Sequence, residues 1–304
     1  MAPSKRKNIA YIGLGKMGFN MVSRLLTKKY RVSVYDTDKQ AMRRIKKLGG
    51  NPVSSLQKLT EVTKSPRLLW IMVPHGVVAS VLKELKPHLR KGDALVDGGN
   101  SPYWKSEERA RIFKKKGVHF LDVGVSGGPS GAKDGASLMI GGEKGVFKKY
   151  EFLFKDLAVK NGYAHLGPSG AGHFVKMIHN GIEYGMMQSL SEGFAVMKKS
   201  KFQLDLREVA RIYNRGSVIE SRLVGWLENA FKEYGSSLKP FSGSVAQSGE
   251  GLWTVRAAEK LKVPVPIIKE SLRFRLRSKN KPNYTSQILS ALRNQFGGHT
   301  PIKK

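Results

Sequence analysis

Lys176, His179, Asn180, Glu183 and Tyr184 follow one another at i, i+3, i+4, i+7 and i+8. That spacing puts them on one stripe of an α-helix with about 3.6 residues per turn. The ammonium of Lys176 and the carboxylate of Glu183 would then lie about 10 Å apart along the helix axis. From there they could serve opposite ends of a small substrate, one as base and one as acid. The other faces carry the apolar Phe174, Val175, Met177, Ile178 and Ile182, so the helix is expected to be buried all round. A Lys or Glu is costly there unless it is paired or shifted in pKa. The same spacing fits a buried, salt-bridged helix with no catalytic role, and spacing alone does not separate the two.

The elements that must position this stripe are bounded first by composition. A chain of 304 residues is long enough for a sizeable core and suggests two domains. The absence of cysteine excludes disulfides, thiolate metal sites and cysteine nucleophiles together. No apolar run approaches the roughly 18 residues of a membrane span, and the basic stretch Met1 to Asn8 has no apolar segment after it. A cytoplasmic chain without a membrane partner is expected. The net charge of +31 would draw phosphates, acidic metabolites and nucleic acid alike. Its clusters, Ser4 to Lys7, Arg43 to Lys47, Lys114 to Lys116 and Arg273 to Lys281, are spread along the chain, with no aromatic interleaving. We read the charge as a general surface property rather than a nucleic-acid site.

Asn8 to Gly13 is a short β-prone run that leads into Gly13-Leu14-Gly15-Lys16-Met17-Gly18 and then a helical pattern through Leu26. This is GxGxxG between a strand and a helix. The first Gly permits the tight turn, the second lets a pyrophosphate approach the backbone, and the third lets helix and strand pack closely. The second strand, Arg31 to Tyr35, ends in Asp36, where a ribose-binding acid is expected about 20 residues on. A carboxylate accepts from the ribose 2′-hydroxyl and repels a 2′-phosphate, so NAD is preferred as cofactor. Arg43 and Arg44 in the next helix leave NADP open.

Strands and helices continue to alternate: Leu68 to Val73 before Pro74-His75-Gly76, Ala94 to Val96 before Asp97 to Ser101, and His119 to Val123 before Gly124 to Pro129. Ser137 to Gly141 and Tyr163 to Leu166 are expected to close the sheet. This is the signature of an α/β fold of the doubly wound, Rossmann type, whose ligands bind beyond the carboxyl ends of the strands. From Gly170 onward the periodicity is helical, over Gly170 to Lys199, Asp205 to Tyr213, Val218 to Phe231, Gly251 to Leu261, Pro264 to Arg277 and Ser286 to Phe296. The expected domains are a dinucleotide-binding one over 1–168 and an all-α substrate and dimerisation domain over 169–304.

Ile12 to Gly18, Asp97-Gly98-Gly99-Asn100-Ser101, Gly124-Val125-Ser126-Gly127-Gly128 and the run His173 to Gly185 together resemble the β-hydroxyacid dehydrogenases over nearly the whole chain. They are similar to that family's cofactor loop, second fingerprint, substrate loop and catalytic helix. His179, Glu183 and Tyr184 beside the shared Lys176 and Asn180 are similar to the branch acting on 6-phosphogluconate. The resemblance implies an oxidation at C3 by hydride transfer to the nicotinamide and loss of C1 as CO2, with no metal. Lys176 would be the base and Glu183 the acid, with Asn180 and His179 orienting the substrate. Gly13, Gly15, Lys16, Met17, Gly18, Asp36, Val73, Pro74 and Asn100 would hold the cofactor. Asn100, Ser126, Gly127, Gly128 and Tyr184 would hold the phosphorylated sugar acid.

The chain is similar to short members of that branch, without their relatives' C-terminal extension and the phosphate-binding Arg and His it supplies. Ser248 and Glu250 stand where long members carry Lys and Thr as phosphate ligands. Arg273 and Arg275, with Arg277, are the expected replacements, since guanidinium suits bidentate phosphate recognition. Each also fits a solvated basic helix face. A homodimer or larger homo-oligomer is expected, with each copy completing the other's site. Two other readings stay open: a relative acting on an unphosphorylated sugar acid or a small 3-hydroxy acid, and a non-catalytic nucleotide- or nucleic-acid-binding protein on the same fold.

Overall fold

The structure, a computed structural model, describes residues 7–246 and 249–298. Ser248 and most of the Ser4 to Lys7 cluster lie outside the described residues. The chain divides into two compact units, Met1–Lys176 and Met177–Lys304, and each is taken by itself.

In the first unit eight strands, β1 (Asn8–Ile12), β2 (Arg31–Tyr35), β3 (Asn51–Pro52), β4 (Leu68–Ile71), β5 (Ala94–Asp97), β6 (His119–Ser126), β7 (Ala136–Gly141) and β8 (Ala158–Gly167), form one sheet in the order β3-β2-β1-β4-β5-β6-β7-β8. All neighbours are parallel except β6 and β7. Helices α1 (Lys16–Thr27), α2 (Lys39–Lys47), α3 (Leu56–Val62), α4 (His75–Leu85), α5 (Tyr103–Lys114), α6 (Gly128–Asp134) and α7 (Lys144–Leu157) connect them. The strand order reverses between β1 and β4, the switch point at which such sheets open a ligand crevice. Both faces of the sheet are covered. Ile9, Tyr11, Val32, Val34, Trp70 and Val96 face one apolar cluster, while Ala10, Ile12, Leu69, Ile71 and Leu95 face another. Alternate residues point to opposite faces, so strands buried on both sides read as continuous apolar runs, as Leu68–Ile71 does.

The hydrophobic pattern predicts neither β3 nor α3 nor α6. Two-residue β3 is too short to show a period, and α3 is set by its cap, the Ser55 hydroxyl accepting from the Lys58 N–H at 3.0 Å. Helix α6 occupies what reads as a glycine loop, Gly128–Asp134.

The second unit is helical throughout its described residues. It contains most of α8 (Ala171–Lys199), then α9 (Leu206–Tyr213), α10 (Arg222–Tyr234), α11 (Glu250–Lys260), α12 (Pro266–Ser278) and α13 (Tyr284–Gly297). Met187 and Phe194 of α8 pack into a core with Leu227, Phe231, Phe241, Ile288 and Leu292. Asp205, Ser221 and Asn283 cap α9, α10 and α13 with side-chain hydrogen bonds. Contrary to the expectation of a helix buried all round, Val175, Ile182 and Met186 of α8 are 37%, 52% and 46% exposed. The side bearing Met177, Tyr184, Met187 and Phe194 meets the protein, and a single chain leaves the opposite side uncovered. None of these helices is long and apolar enough to cross a membrane among the described residues.

At the amino-terminal edge of the sheet, buried Asp93 joins the starts of β4 and β5. Its carboxylate accepts from the Arg67 N–H at 2.7 Å, the Arg90 N–H at 2.9 Å and Arg67 Nη1 at 2.9 Å. Removing one partner of a buried pair leaves a charge uncompensated, which typically costs about 3–5 kcal/mol. Asp93→Ala is therefore expected to lower unfolding free energy by about that amount in urea denaturation. An unchanged midpoint would show that the backbone, not this pair, joins the two strands.

Candidate active site

The glycine loop after β1 divides its tasks by position. Gly13 has φ +98°, and a Cβ there would lie 2.3 Å from the Met72 carbonyl oxygen. A Cβ at Gly18 would lie 2.1 Å from the Gly13 carbonyl, so helix and strand touch there. A Cβ at Gly15 would meet nothing within 4 Å, which leaves that side of the backbone open to a ligand. Gly15 caps α1 without a side-chain hydrogen bond, and the first turn, with Lys16 and Met17, holds no acid. The backbone N–H groups of a helix start and the positive end of the helix dipole suit a pyrophosphate at that point. Asp36, at the end of β2, is held by two backbone N–H groups, of Leu14 within the loop and of Asp38 at 2.7 Å. The residues present fit a dinucleotide. Arg44 lies with its guanidinium carbon 4.4 Å from the Phe19 ring centroid, and Arg43 Nε donates to the Lys39 carbonyl of its own helix at 3.4 Å.

Because β1, β4, β5 and β6 are adjacent and parallel, their carboxyl ends share one edge. Val73 and Pro74 follow β4, and Pro74 caps α4. Asn100 is exposed after β5, on a loop organised by buried Asp97. That carboxylate accepts from Ser101 Oγ and Arg109 Nη1, both at 2.8 Å, and from the Gly99 N–H at 3.2 Å. Ser126 ends β6, and Gly127, with φ +124°, turns the chain into α6 without a side-chain cap. The Gly127-Gly128 segment thus ends at uncapped helical N–H groups rather than in a free loop.

Lys176 is seated against β6. A Cβ on Gly124 would lie 2.3 Å from Lys176 Cβ and 3.0 Å from the Gly172 carbonyl oxygen. Two residues earlier on the same strand face, the Asp122 carboxylate accepts from the Gly170 and His173 N–H groups at 2.7 and 2.8 Å, capping the start of α8. The His173 ring is buried, its Nδ1 2.7 Å from Ser106 Oγ. Lys176 itself is 7% exposed.

Further along α8, within the second unit, Asn180 is buried and its Oδ1 lies 3.1 Å from His179 Nδ1, while that nitrogen is 3.8 Å from Glu183 Oε2. Tyr184 is buried beneath Arg275, whose guanidinium carbon sits 3.4 Å from the ring centroid. Gly251 leaves room for that ring, since a Cβ there would be 2.5 Å from Tyr184 Cε2. Burial raises the Tyr184 phenol above its ordinary value and pushes the Arg275 guanidinium down to about 10, so near neutral pH the first stays protonated and the second cationic. Arg275 Nε makes no hydrogen bond. Arg293 of α13 joins this group: burial lowers its pKa, and Tyr184, Glu183 and buried Glu250 oppose that shift.

The structure separates the arginines of α12. Arg275 belongs to the buried cluster, whereas Arg273 is exposed and paired with Glu270 at 3.5 Å, and Arg277 is paired with the same carboxylate. Arg273 is therefore not brought to the stripe: Arg273 and Arg277, four residues apart, share one face of the helix, and Arg275 between them points to the other. Sequence reasoning missed Arg293. Its only signal was a cation four residues after Leu289 on an otherwise apolar face.

A switch-point sheet with an open glycine loop, followed by a helical unit, defines an NAD(P)-binding oxidoreductase. Residues 8–167 match the NAD binding domain of 6-phosphogluconate dehydrogenase, and residues 172–301 match the 6-phosphogluconate dehydrogenase C-terminal domain. The chain is 44% identical to YqeC of Bacillus subtilis, a provisionally named 6-phosphogluconate dehydrogenase, over 97% of this chain and 99% of that one. It is 38% identical to the NAD(+)-dependent, decarboxylating 6-phosphogluconate dehydrogenase of Haloferax volcanii, with the same coverage. Among solved structures it is similar to Plasmodium falciparum 6-phosphogluconate dehydrogenase, at 30% identity and a TM-score of 0.82, over 90% of this chain and 62% of that one. The chain belongs to the 6-phosphogluconate dehydrogenase family.

Proposed function

We propose that this chain oxidises 6-phosphogluconate at C3 and releases C1 as CO2, giving ribulose 5-phosphate, with NAD as the preferred acceptor. The observation that carries this reading is the polar face of α8, on which Lys176 and Asn180 are buried and Tyr184 lies under the Arg275 guanidinium. NAD, when bound, accepts the hydride from C3. Lys176, neutral beforehand, takes the C3 hydroxyl proton, and its ammonium then holds the ketone oxygen as the carboxylate leaves. The electron pair of the broken C1–C2 bond forms a C2=C3 enediol as the C3 oxygen takes the Lys176 proton, and Glu183, as the carboxylic acid, protonates the former C2, which becomes C1 of the product. Asn180 and His179 orient hydroxyls. Ser126 and the Gly127 and Gly128 N–H groups receive the substrate carboxylate.

Tyr184, Arg275 and Arg293 form the phosphate end, with Arg273 left out. Asn100 borders both cofactor and substrate. Asp36, already fixed by two N–H groups, accepts from the ribose 2′-hydroxyl. A cytoplasmic homo-oligomer, in which another copy covers Val175, Ile182 and Met186, completes the reading. Glu250, buried beside Arg293, favours a second one: a carboxylate there offsets one cation and suits an unphosphorylated sugar acid.

Asp36 predicts that NADH binds at least about tenfold more tightly than NADPH in a fluorescence titration, since a 2′-phosphate would meet a fixed carboxylate. Equal affinities would remove Asp36 from the cofactor's ribose. Lys176→Met should abolish turnover while NADH affinity stays within about twofold, because the base acts only on the substrate. Substantial residual activity would assign the proton to another group. With 6-phosphogluconate, Arg275→Gln should raise KM by about 30-fold or more, as truncating a buried charged contact costs at least about 2 kcal/mol. Arg273→Gln should leave it unchanged. If gluconate is turned over as well as 6-phosphogluconate and Arg275→Gln affects neither, the second reading replaces the first.

A further inference from the structure

A cavity of about 530 Å³ opens at the amino-terminal edge of the sheet, beside the starts of β4 and β5. The cofactor loops lie at the carboxyl-terminal edge, so this cavity plays no part in the proposed reaction. Its lining includes Gln57, Glu61, Lys64, Arg67, His88 and Arg90.

Arg67 is the fixed point of this lining, with only 7% of its side chain exposed. Nε donates to the carbonyls of Thr60 and Thr63 at 2.8 and 3.2 Å, which ends α3, and Nη1 donates to the His88 carbonyl at 3.3 Å and to Asp93 at 2.9 Å. Nη2 makes no hydrogen bond among the described residues, and Arg67 lines the cavity. A guanidinium locked on two of its nitrogens offers the third without further loss of side-chain freedom. Lys64 and Arg90 are exposed beside it. The acid of the lining, Glu61, is paired with Lys58 at 3.0 Å. Asp93 balances Arg67, so Lys64 and Arg90 set the local charge within a chain that already carries +31.

We propose that this cavity binds a small oxyanion, the phosphate group of a metabolite or free phosphate, between Arg67 Nη2 and the side chains of Lys64 and Arg90. A bound anion would tie the end of α3 to the turn before β5 and act away from the dinucleotide edge.

The test is a titration with inorganic phosphate, followed by 31P line broadening, on wild type, on K64A/R90A and on R275Q, each saturated with NADH. Both replaced side chains are exposed, and the Arg90 N–H that donates to Asp93 is untouched, so K64A/R90A should fold with an unchanged thermal midpoint. Phosphate affinity at the cavity is expected to fall at least about tenfold in K64A/R90A and to persist in R275Q, whether or not the latter also loses a second phosphate site. Wild-type titration behaviour in K64A/R90A, or loss of all phosphate binding in R275Q alone, would overturn the proposal. Neither result depends on turnover of 6-phosphogluconate. Repeating the titration with ribose 5-phosphate separates a metabolite's phosphate from the free ion: tighter binding than phosphate assigns the metabolite, and equal binding assigns the ion.

Discussion

The close seating of α8 on β6 is the constraint on which the candidate site depends. Gly124 and Gly141 on the sheet and Gly172 on the helix remove side chains where the two backbones approach; a Cβ at Gly141 would lie 2.6 Å from the Gly172 nitrogen. The Asp122 carboxylate supplies acceptors for backbone N–H groups at the helix start. Close packing alone would let a helix slide or rotate, whereas a buried carboxylate accepting two particular N–H groups fixes both register and rotation. Lys176, one turn after His173, inherits its position from these contacts.

The two ends of the stripe are built on different physical principles. Near Lys176, backbone geometry dominates, with strand alternation and absent Cβ atoms. Near Tyr184, electrostatics dominate: Arg275 is 2% exposed and stacks on an aromatic ring, with Arg293 and Glu250 close enough to influence its surroundings. A buried guanidinium whose Nε makes no hydrogen bond is costly, and an anion beside it would stabilise it. That gives the far end of the stripe a reason to prefer an anionic group, while Glu250 tempers how much negative charge it favours.

Much of this was legible in the chain itself. The glycine loop, Asp36 and the alternation of strands and helices specify a doubly wound sheet because their signals are local: a period of two residues or 3.6, a φ that only glycine adopts readily, an acid at a strand end. The polar stripe of α8 was legible for the same reason, since residues on one helix face declare themselves by spacing. Sequence alone could not sort Arg273 from Arg275, because both faces of α12 carry arginine and read alike until one is buried. Nor could it find Arg293, which meets Tyr184 only because α13 packs back against the same unit. The expectation that α8 is buried all round failed likewise, as apolar residues at Val175 and Ile182 do not say which neighbour covers them. Local periodicity and backbone chemistry fixed the elements and the chemical types of the stripe. Which cations become buried, and what they face, was decided by packing between segments far apart in the chain, as where Arg275 and Arg293 are brought to Tyr184.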